Sequence, residues 1–407
     1  MKRLARGVTD HAIWLVVPVL GLLLFAGAWA SVGFAAALVL YACRWLAVGS
    51  PVPVTRVNVP ILVLLSMTAI GLVHSPAPDL GVLTAGQVVA SVTLFFVGSD
   101  QIHTRVDLRH GAAALAVLGL ALAVVAPFTV AWSPDKVYAI PGFYDASWPR
   151  LPKLTNPNIM AGALAPIVPV ALGLMMLGER RWRVVGVVGV VPATLMLLLL
   201  QSRGALFALG VGLAIWIALY NRWFIPLIPI GLLAALYLNQ SMGGPPPAQF
   251  FYGKIGTPTG GTLIERQDMW AQAVLLIRQF PLVGIGLGAY PRVAPYVSPY
   301  SPSHPGLVAP HAHNVFLQVG LDTGIPGLAA FIVLLIAALW AAWRSYWAGI
   351  ERHLAIALLA ALGVVIAHGF GDTIVWGTAK SSLVLWILLC LALGLDRVSA
   401  AAESPGG

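Results

Sequence analysis

Runs of about 20 apolar residues recur from one end of the chain to the other, and each can cross a hydrocarbon core as a helix. Lipid offers backbone N–H and C=O groups no partner, so spanning segments are either helices or the strands of a closed barrel. A barrel strand needs only about 10 residues with alternating polarity, which these runs lack. They read as a helical bundle. Composition agrees, with 59% apolar and 9% charged residues among 407, against roughly 25% charged in soluble domains. The net charge of +9 does not mark a nucleic-acid binder. Its Lys and Arg residues fall in short connections, the pattern of membrane topology. Cys43 and Cys390 both lie inside apolar runs, and no Cys/His metal spacing exists, so they read as packing residues.

Twelve spans can be drawn, near 11–29, 31–48, 59–74, 80–99, 112–132, 158–178, 183–201, 204–220, 222–238, 327–345, 352–371 and 378–396. The N-terminal Lys2, Arg3 and Arg6 followed by an apolar run and Ala28-Trp29-Ala30 resemble a cleavable signal peptide. The next segment is apolar too, and a retained first span is the preferred reading. An even number of spans puts both termini on one side. With that side inside, 14 of the 23 basic residues fall at inner positions and 9 at outer ones. The bias is strongest in short loops such as Glu179–Arg183, so both termini are expected in the cytoplasm. The chain then divides into 1–238 (nine spans with a periplasmic loop at 133–157), a large periplasmic loop at 239–326, and 327–407 with three spans and a short tail. Connections beyond roughly 12–15 residues are usually functional or disordered.

The large loop holds the chemistry. Thr262 and Glu265 have capping-box spacing, and Leu263, Trp270, Val274 and Ile277 form an apolar stripe, predicting an amphipathic helix near 262–280. Arg266 precedes Trp270 by four residues and shares its face. It is either a snorkelling side chain covering Trp270 or a guanidinium aimed at an anionic ligand. Further on, His311, His313 and Asn314 open a short apolar helix. Gly324 suits a left-handed cap and Pro326 the first turn of the next helix. His313 is placed in the first turn, where the helix dipole favours a neutral imidazole and the same end attracts phosphate. His311 and His313 could instead chelate a metal if Asp372 or His304 approached, or be structural. Arg203 follows Gln201-Ser202 between two spans, either an interfacial anchor or a functional cation close to hydrocarbon. Asn156-Pro157-Asn158, His368, Asp372 and Lys380 are further polar groups expected on that face.

The spacing His313-Asn314, nine residues, Gly324-Ile325-Pro326-Gly327 resembles the signature of the O-antigen ligase and polymerase superfamily of membrane glycosyltransferases. Ser202-Arg203-Gly204, Asn156-Pro157-Asn158, and Arg266 with Trp270 leading into Pro281–Gly288 support the likeness. It covers about 150–400; the earlier spans agree in hydropathy alone. The resemblance implies an all-α polytopic fold like the C-type membrane glycosyltransferases. The donor would be a glycan on undecaprenyl diphosphate, and the acceptor a sugar hydroxyl of lipid A–core. The site would face the periplasm from the inner membrane. His313 would be the base, with Arg266 and Arg203 holding the diphosphate. His311, Asn314, Trp270 and Asn158 would line the substrates. No cofactor and no metal are implied, and besides the substrates only membrane lipids are expected as partners.

Rival readings stay open. The O-antigen polymerase and the O-linked oligosaccharyltransferase share the signature; a single dominant loop before the tenth span favours a ligase, and the short tail argues against the latter. A polysaccharide transporter would need ionisable residues near mid-membrane and matched interrupted helices in two halves.

Overall fold

The computed structural model describes residues 2–12, 15, 19, 30–132, 155–241, 263–297, 309–377 and 381–403. Residues 133–154 of the expected periplasmic loop at 133–157, the proline-rich 243–247, Thr262 of the capping box, His304, Lys380 and most of the first expected span lie outside them. Every regular element among the described residues is a helix, apart from one isolated bridge between Val130 and Thr155. In chain order they are α1 (Lys2–Asp10), α2 (Ala30–Val48), α3 (Asn58–Val73), α4 (Pro78–Ser99), α5 (Arg105–Thr129), α6 (Pro157–Leu164), α7 (Ile167–Met175), α8 (Arg180–Leu200), α9 (Arg203–Tyr220), α10 (Leu227–Ser241), α11 (Leu263–Gln279), α12 (Tyr290–Val297), α13 (Val315–Ala348), α14 (Arg352–Gly369) and α15 (Ser382–Glu403).

The chain is a polytopic α-helical membrane protein, and the described residues support eight of the twelve expected spans. Eight helices among the described residues are long and apolar enough to cross a membrane: α4, α5, the α6–α7 pair, α8, α9, α13, α14 and α15. Each overlaps an expected span. The segments Val32–Val48, Asn58–Val73 and Arg222–Ala234 are apolar but shorter. Helices α2 and α3 lie within a residue of the expected 31–48 and 59–74, whereas the expected 222–238 opens with a 3₁₀ turn and its α-helix starts only at Leu227. Pro53 and Pro60 bracket the start of α3, and α10 is separated from α9 by a short 3₁₀ turn at Arg222–Phe224.

Lipid tails are as apolar as leucine, so helices associate in a bilayer through close packing rather than hydrophobic burial. The α9–α14 crossing shows the device. A Cβ on Gly212 would stand 2.9 Å from the Ala360 carbonyl oxygen, so the bare backbone lets the two helices meet. That crossing sets the start of α9, bearing Arg203, against the end of α14, bearing His368. At the other end of α14, Arg109 pairs with Glu351 and with Glu179. Polar clusters thus occupy both ends of an 18-residue helix, about 27 Å apart at 1.5 Å per residue.

Helix α13 is two helices joined at a kink. Gly324 has φ 69° and ψ −178°, a conformation essentially reserved for glycine. Pro326 lacks an N–H, and the Ile325 N–H donates to the Pro281 carbonyl instead of continuing the ladder. The freed Leu321 carbonyl accepts from Ile285 N–H at 2.8 Å. Residues 281–288 therefore thread between α13 and α3 as a non-helical strap. It is tied on its other side by Leu287 N–H to the Gly71 carbonyl, and by the Ser75 hydroxyl to the Leu287 carbonyl. Irregular backbone is tolerated at this depth because protein surrounds it.

Candidate active site

The site forms where the strap, the kinked helix and the end of α14 meet. Asn314 is the N-cap of α13: its side-chain oxygen accepts from Phe316 N–H and Leu317 N–H. His313 therefore stands one residue before the cap and not in the first turn, which corrects the sequence expectation. Asn is among the strongest N-cap residues, and it takes the role from its neighbour. The correction has two consequences. The helix end's first N–H groups are occupied by Asn314, so a phosphate would not find them free. The Asn314 amide nitrogen donates to the Phe370 carbonyl at 3.3 Å, so its bonds strap the chain together.

His313 adopts φ 48° and its ring lies 4.2 Å, centre to centre, from that of His311. The His313 N–H points at His311 Nδ1, 3.3 Å away, which makes that nitrogen an acceptor and places the His311 proton on Nε2. Burial, with the charges of His313 and Arg266 beside it, pushes the His311 imidazole down to about 4, against the pull of Asp372. His311 is neutral at ordinary pH.

His313 Nδ1 faces Asp372 Oδ1 at 3.4 Å, an ion-pair distance longer than a well-made hydrogen bond. Asp372 is buried just past the end of α14 and also accepts from Thr373 N–H. Burial alone would raise its carboxyl. The His313 contact and the charges of His313, His311 and His368 outweigh that and hold it below the usual carboxylate range. An imidazole whose Nδ1 turns to a carboxylate leaves Nε2 to accept a proton.

Arg266, on α11, reaches into the same cluster. A Cβ on Gly371 would lie 3.3 Å from its Nη1, and its Nε is buried without a hydrogen bond among the described residues. It is close enough to act on the charges of His311 and His368, and to repel Arg203. Arg203 opens α9 because Gln201 ends α8 in a left-handed cap (φ 47°), reversing the chain within two residues. A cation at a helix start opposes the dipole, so two guanidiniums and a positive helix end share one region. The next residue, Gly204, packs on His368: a Cβ there would be 3.3 Å from its Nε2.

Other expected site residues sit at the margin. The Trp270 indole N–H donates to the His313 carbonyl at 3.3 Å, so it braces the histidine segment from α11. The buried face of that helix runs through Met269, Ala273 and Leu276, not the expected Leu263–Trp270–Val274–Ile277 stripe; Val274 is half-exposed. The small Ala273 lets α11 lie close to Tyr290, Ala312 and Leu321, which a count of large apolar residues passes over. Asn158 stands one turn before Gly162, where a Cβ would meet His368 at 3.0 Å; it borders the cluster from α6.

In the sequence His368 was visible only as a polar group near a span end, and Asp372 as that and as a possible third ligand beside His311 and His313. Nothing in the spacing joins Asp372 to a histidine 59 positions earlier. One donor atom from each of His311, His313 and Asp372 lies within 4.8 Å of the others, a set that could hold a cation. The Arg266 charge acting on His311 opposes that use.

A half-buried imidazole paired with a buried carboxylate beside two guanidiniums, at one end of a helical bundle, defines a polytopic membrane protein with a site suited to anionic ligands and proton transfer. Residues 188–332 match the family model described as O-antigen ligase. That stretch takes in Arg203, Arg266, His313 and the Gly324 kink, and leaves Asp372 outside. No curated protein matches the chain.

Proposed function

We propose that this protein is an O-antigen ligase. It moves a glycan from undecaprenyl diphosphate to a sugar hydroxyl of lipid A–core, at the periplasmic face of the inner membrane. The observation that carries this reading is the meeting of His313, Asp372 and Arg266 from three separate segments. The acceptor oxygen attacks the anomeric carbon as the bond to the diphosphate oxygen breaks with its electron pair. His313 Nε2 takes the hydroxyl proton, and Asp372 balances the imidazolium, a role of roughly 10²–10⁴-fold in rate. Arg266 and Arg203 meet the diphosphate and the charge growing on its leaving oxygen. Diphosphate leaves as a stable anion and needs no proton donor. A single displacement inverts the anomeric centre.

His311, neutral and with its proton on Nε2, donates to a substrate oxygen rather than competing for the acceptor's proton. Trp270 and Asn314 act on substrates indirectly, by holding His313 and α13 in place.

The deciding experiment supplies purified protein with polyprenyl-diphosphate glycan and lipid A–core, with and without EDTA. Glycan on the lipid in both conditions supports the ligase. Elongation on the polyprenyl carrier would identify a polymerase instead. Loss in EDTA with recovery on adding a divalent ion would move His311, His313 and Asp372 into a metal site. No transfer to either acceptor would sink the enzyme reading and favour transport.

A further inference from the structure

Asp322 is 1% exposed, on the part of α13 before the Gly324 kink, one turn after the equally buried Gln318. The Gln318 amide nitrogen donates to Asp322 Oδ1 at 3.1 Å. That contact fixes which way the amide faces, and its oxygen accepts the backbone N–H of Ala312 at 2.9 Å. Ala312 is the residue between His311 and His313. Asp322 Oδ1 also accepts from Gly288 N–H of the strap at 3.1 Å. Its Oδ2 accepts the Trp376 indole N–H at 2.8 Å, and Trp376 belongs to the segment that carries Asp372. All three partners are donors, so one carboxylate joins the strap, the histidine segment and the Asp372 segment.

We infer that Asp322 is a positioning residue, which holds the His311–His313 segment against the Asp372 segment through Gln318 and Trp376. Three features set the need for it. His313 has an unfavourable positive φ and precedes any helix, so local backbone preference does not fix it. The Asp372 segment is likewise non-helical. The His313–Asp372 contact depends on both being placed together, and misplacement of reacting groups by about 1 Å can cost on the order of 10²-fold in rate. An apolar pair at Gln318 and Asp322 would pack as well but would leave the Ala312, Gly288 and Trp376 N–H groups buried and unmet.

The effect on rate rests on the transferase reading; the effect on loop geometry does not, and the test separates them. In Asp322→Asn, the amide oxygen keeps the Gly288 and Gln318 donors, which both meet Oδ1. The new NH₂ then faces the Trp376 N–H, donor to donor. Trp376→Phe removes that opposing N–H, so the double variant relieves the conflict the single variant creates. Two readouts are taken on the full-length purified protein: glycan transfer, and carbethoxylation of His311 and His313 by diethyl pyrocarbonate, mapped by mass spectrometry. Asp322→Asn is expected to lower kcat by about 10- to 100-fold with KM little changed, and to raise labelling severalfold. Asp322→Asn/Trp376→Phe removes the opposed donors but not the loss of the tie, so both readouts recover only to those of Trp376→Phe alone, between Asp322→Asn and the wild type. Labelling and transfer at wild-type levels in Asp322→Asn would overturn the inference, as would a double variant no better than the single one. Should Asp322→Asn not fold, Trp376→Phe alone must raise labelling, and wild-type labelling in that folded variant also overturns it. Labelling that responds as expected while the wild type transfers no glycan refutes the transferase reading and leaves the positioning role standing.

Discussion

Backbone conformations rarely adopted by ordinary side chains mark where local preference has been overridden. Among the described non-glycine residues, φ is positive at Gln201, His313 and Glu351. The first two flank the site, one turning α8 into α9 so that Arg203 begins a helix, the other presenting the imidazole. With Nδ1 turned to Asp372, His313→Ala should lower kcat by about 10²–10⁴-fold while the protein stays monodisperse; wild-type turnover would remove it from the mechanism. Asp372→Asn keeps the shape but not the charge, and a drop of about 10²-fold or more in kcat is expected, read with KM to separate chemistry from binding. Arg266→Lys retains the charge but loses the planar fork, so KM for the donor should rise. An unchanged KM would return Arg266 to a packing role over Trp270. His311 offers a pH test. Its folded value is depressed to about 4, below roughly 6.5 in an unfolded chain. Between those values the unfolded state binds the extra proton, so stability is present at neutral pH and falls as pH drops through that window. The groups facing it (His313, Asp372 and Arg266) remain in His311→Asn. The unfolding midpoint of that variant should therefore lose less on acidification from about 6.5 to 4 than the wild type does. Parallel losses would mean that His311 is not buried as a neutral base. Asp372, held below the usual carboxylate range, gives up its contribution mainly at still more acid pH, and Asp372 remains in both proteins compared.

At the scale of elements, the kink in α13 and the strap beside it are a single device. A Cβ on Gly324 would lie 2.3 Å from the Leu282 carbonyl oxygen, and one on Gly284 would lie 2.1 Å from that of Leu321. Gly324→Ala adds to that clash a conformation worth about 1–3 kcal/mol against any L side chain. A clear fall in the unfolding midpoint in detergent is expected, with transfer reduced because the His313 segment is anchored to the same helix. An unshifted midpoint would mean that the kink relaxes freely. This device was half legible beforehand. Gly324 and Pro326 carry their turn chemistry in their identities, and the eight membrane helices follow from run length alone. The strap did not, because its hydrogen-bond partners, Gly71, Ser75 and Leu321, come from distant parts of the chain and the glycines of Pro281–Gly288 only permit the path. The same limit hid the His313–Asp372 pairing. The one-residue error at His313 was avoidable, since Asn314 already carried the stronger capping preference.

Across the whole molecule, helix α14 links two polar ends of opposite character. Near its start the acidic Glu351 and Glu179 gather Arg109 and Arg181; in its last turn stands His368, and just beyond are Asp372 and the basic groups of the site. A separation of about 27 Å is close to the thickness of a bilayer's hydrocarbon core, so the two clusters must face opposite compartments if α14 spans. The site must face outward if its donor hangs in the outer leaflet of the inner membrane, and the basic Arg180–Arg183 turn must then face the cytoplasm. Two exposed positions report on these sides: Gln267, next to Arg266 on α11, and Arg180 at the start of α8. In a background in which Cys43 and Cys390 are serine, Gln267→Cys should react with a membrane-impermeant maleimide in spheroplasts. Arg180→Cys should react only after lysis. The reverse pattern would put the imidazole–guanidinium cluster in the cytoplasm, where a glycan donor displayed in the outer leaflet cannot reach it, and the ligase reading would fall even if every residue-level result held.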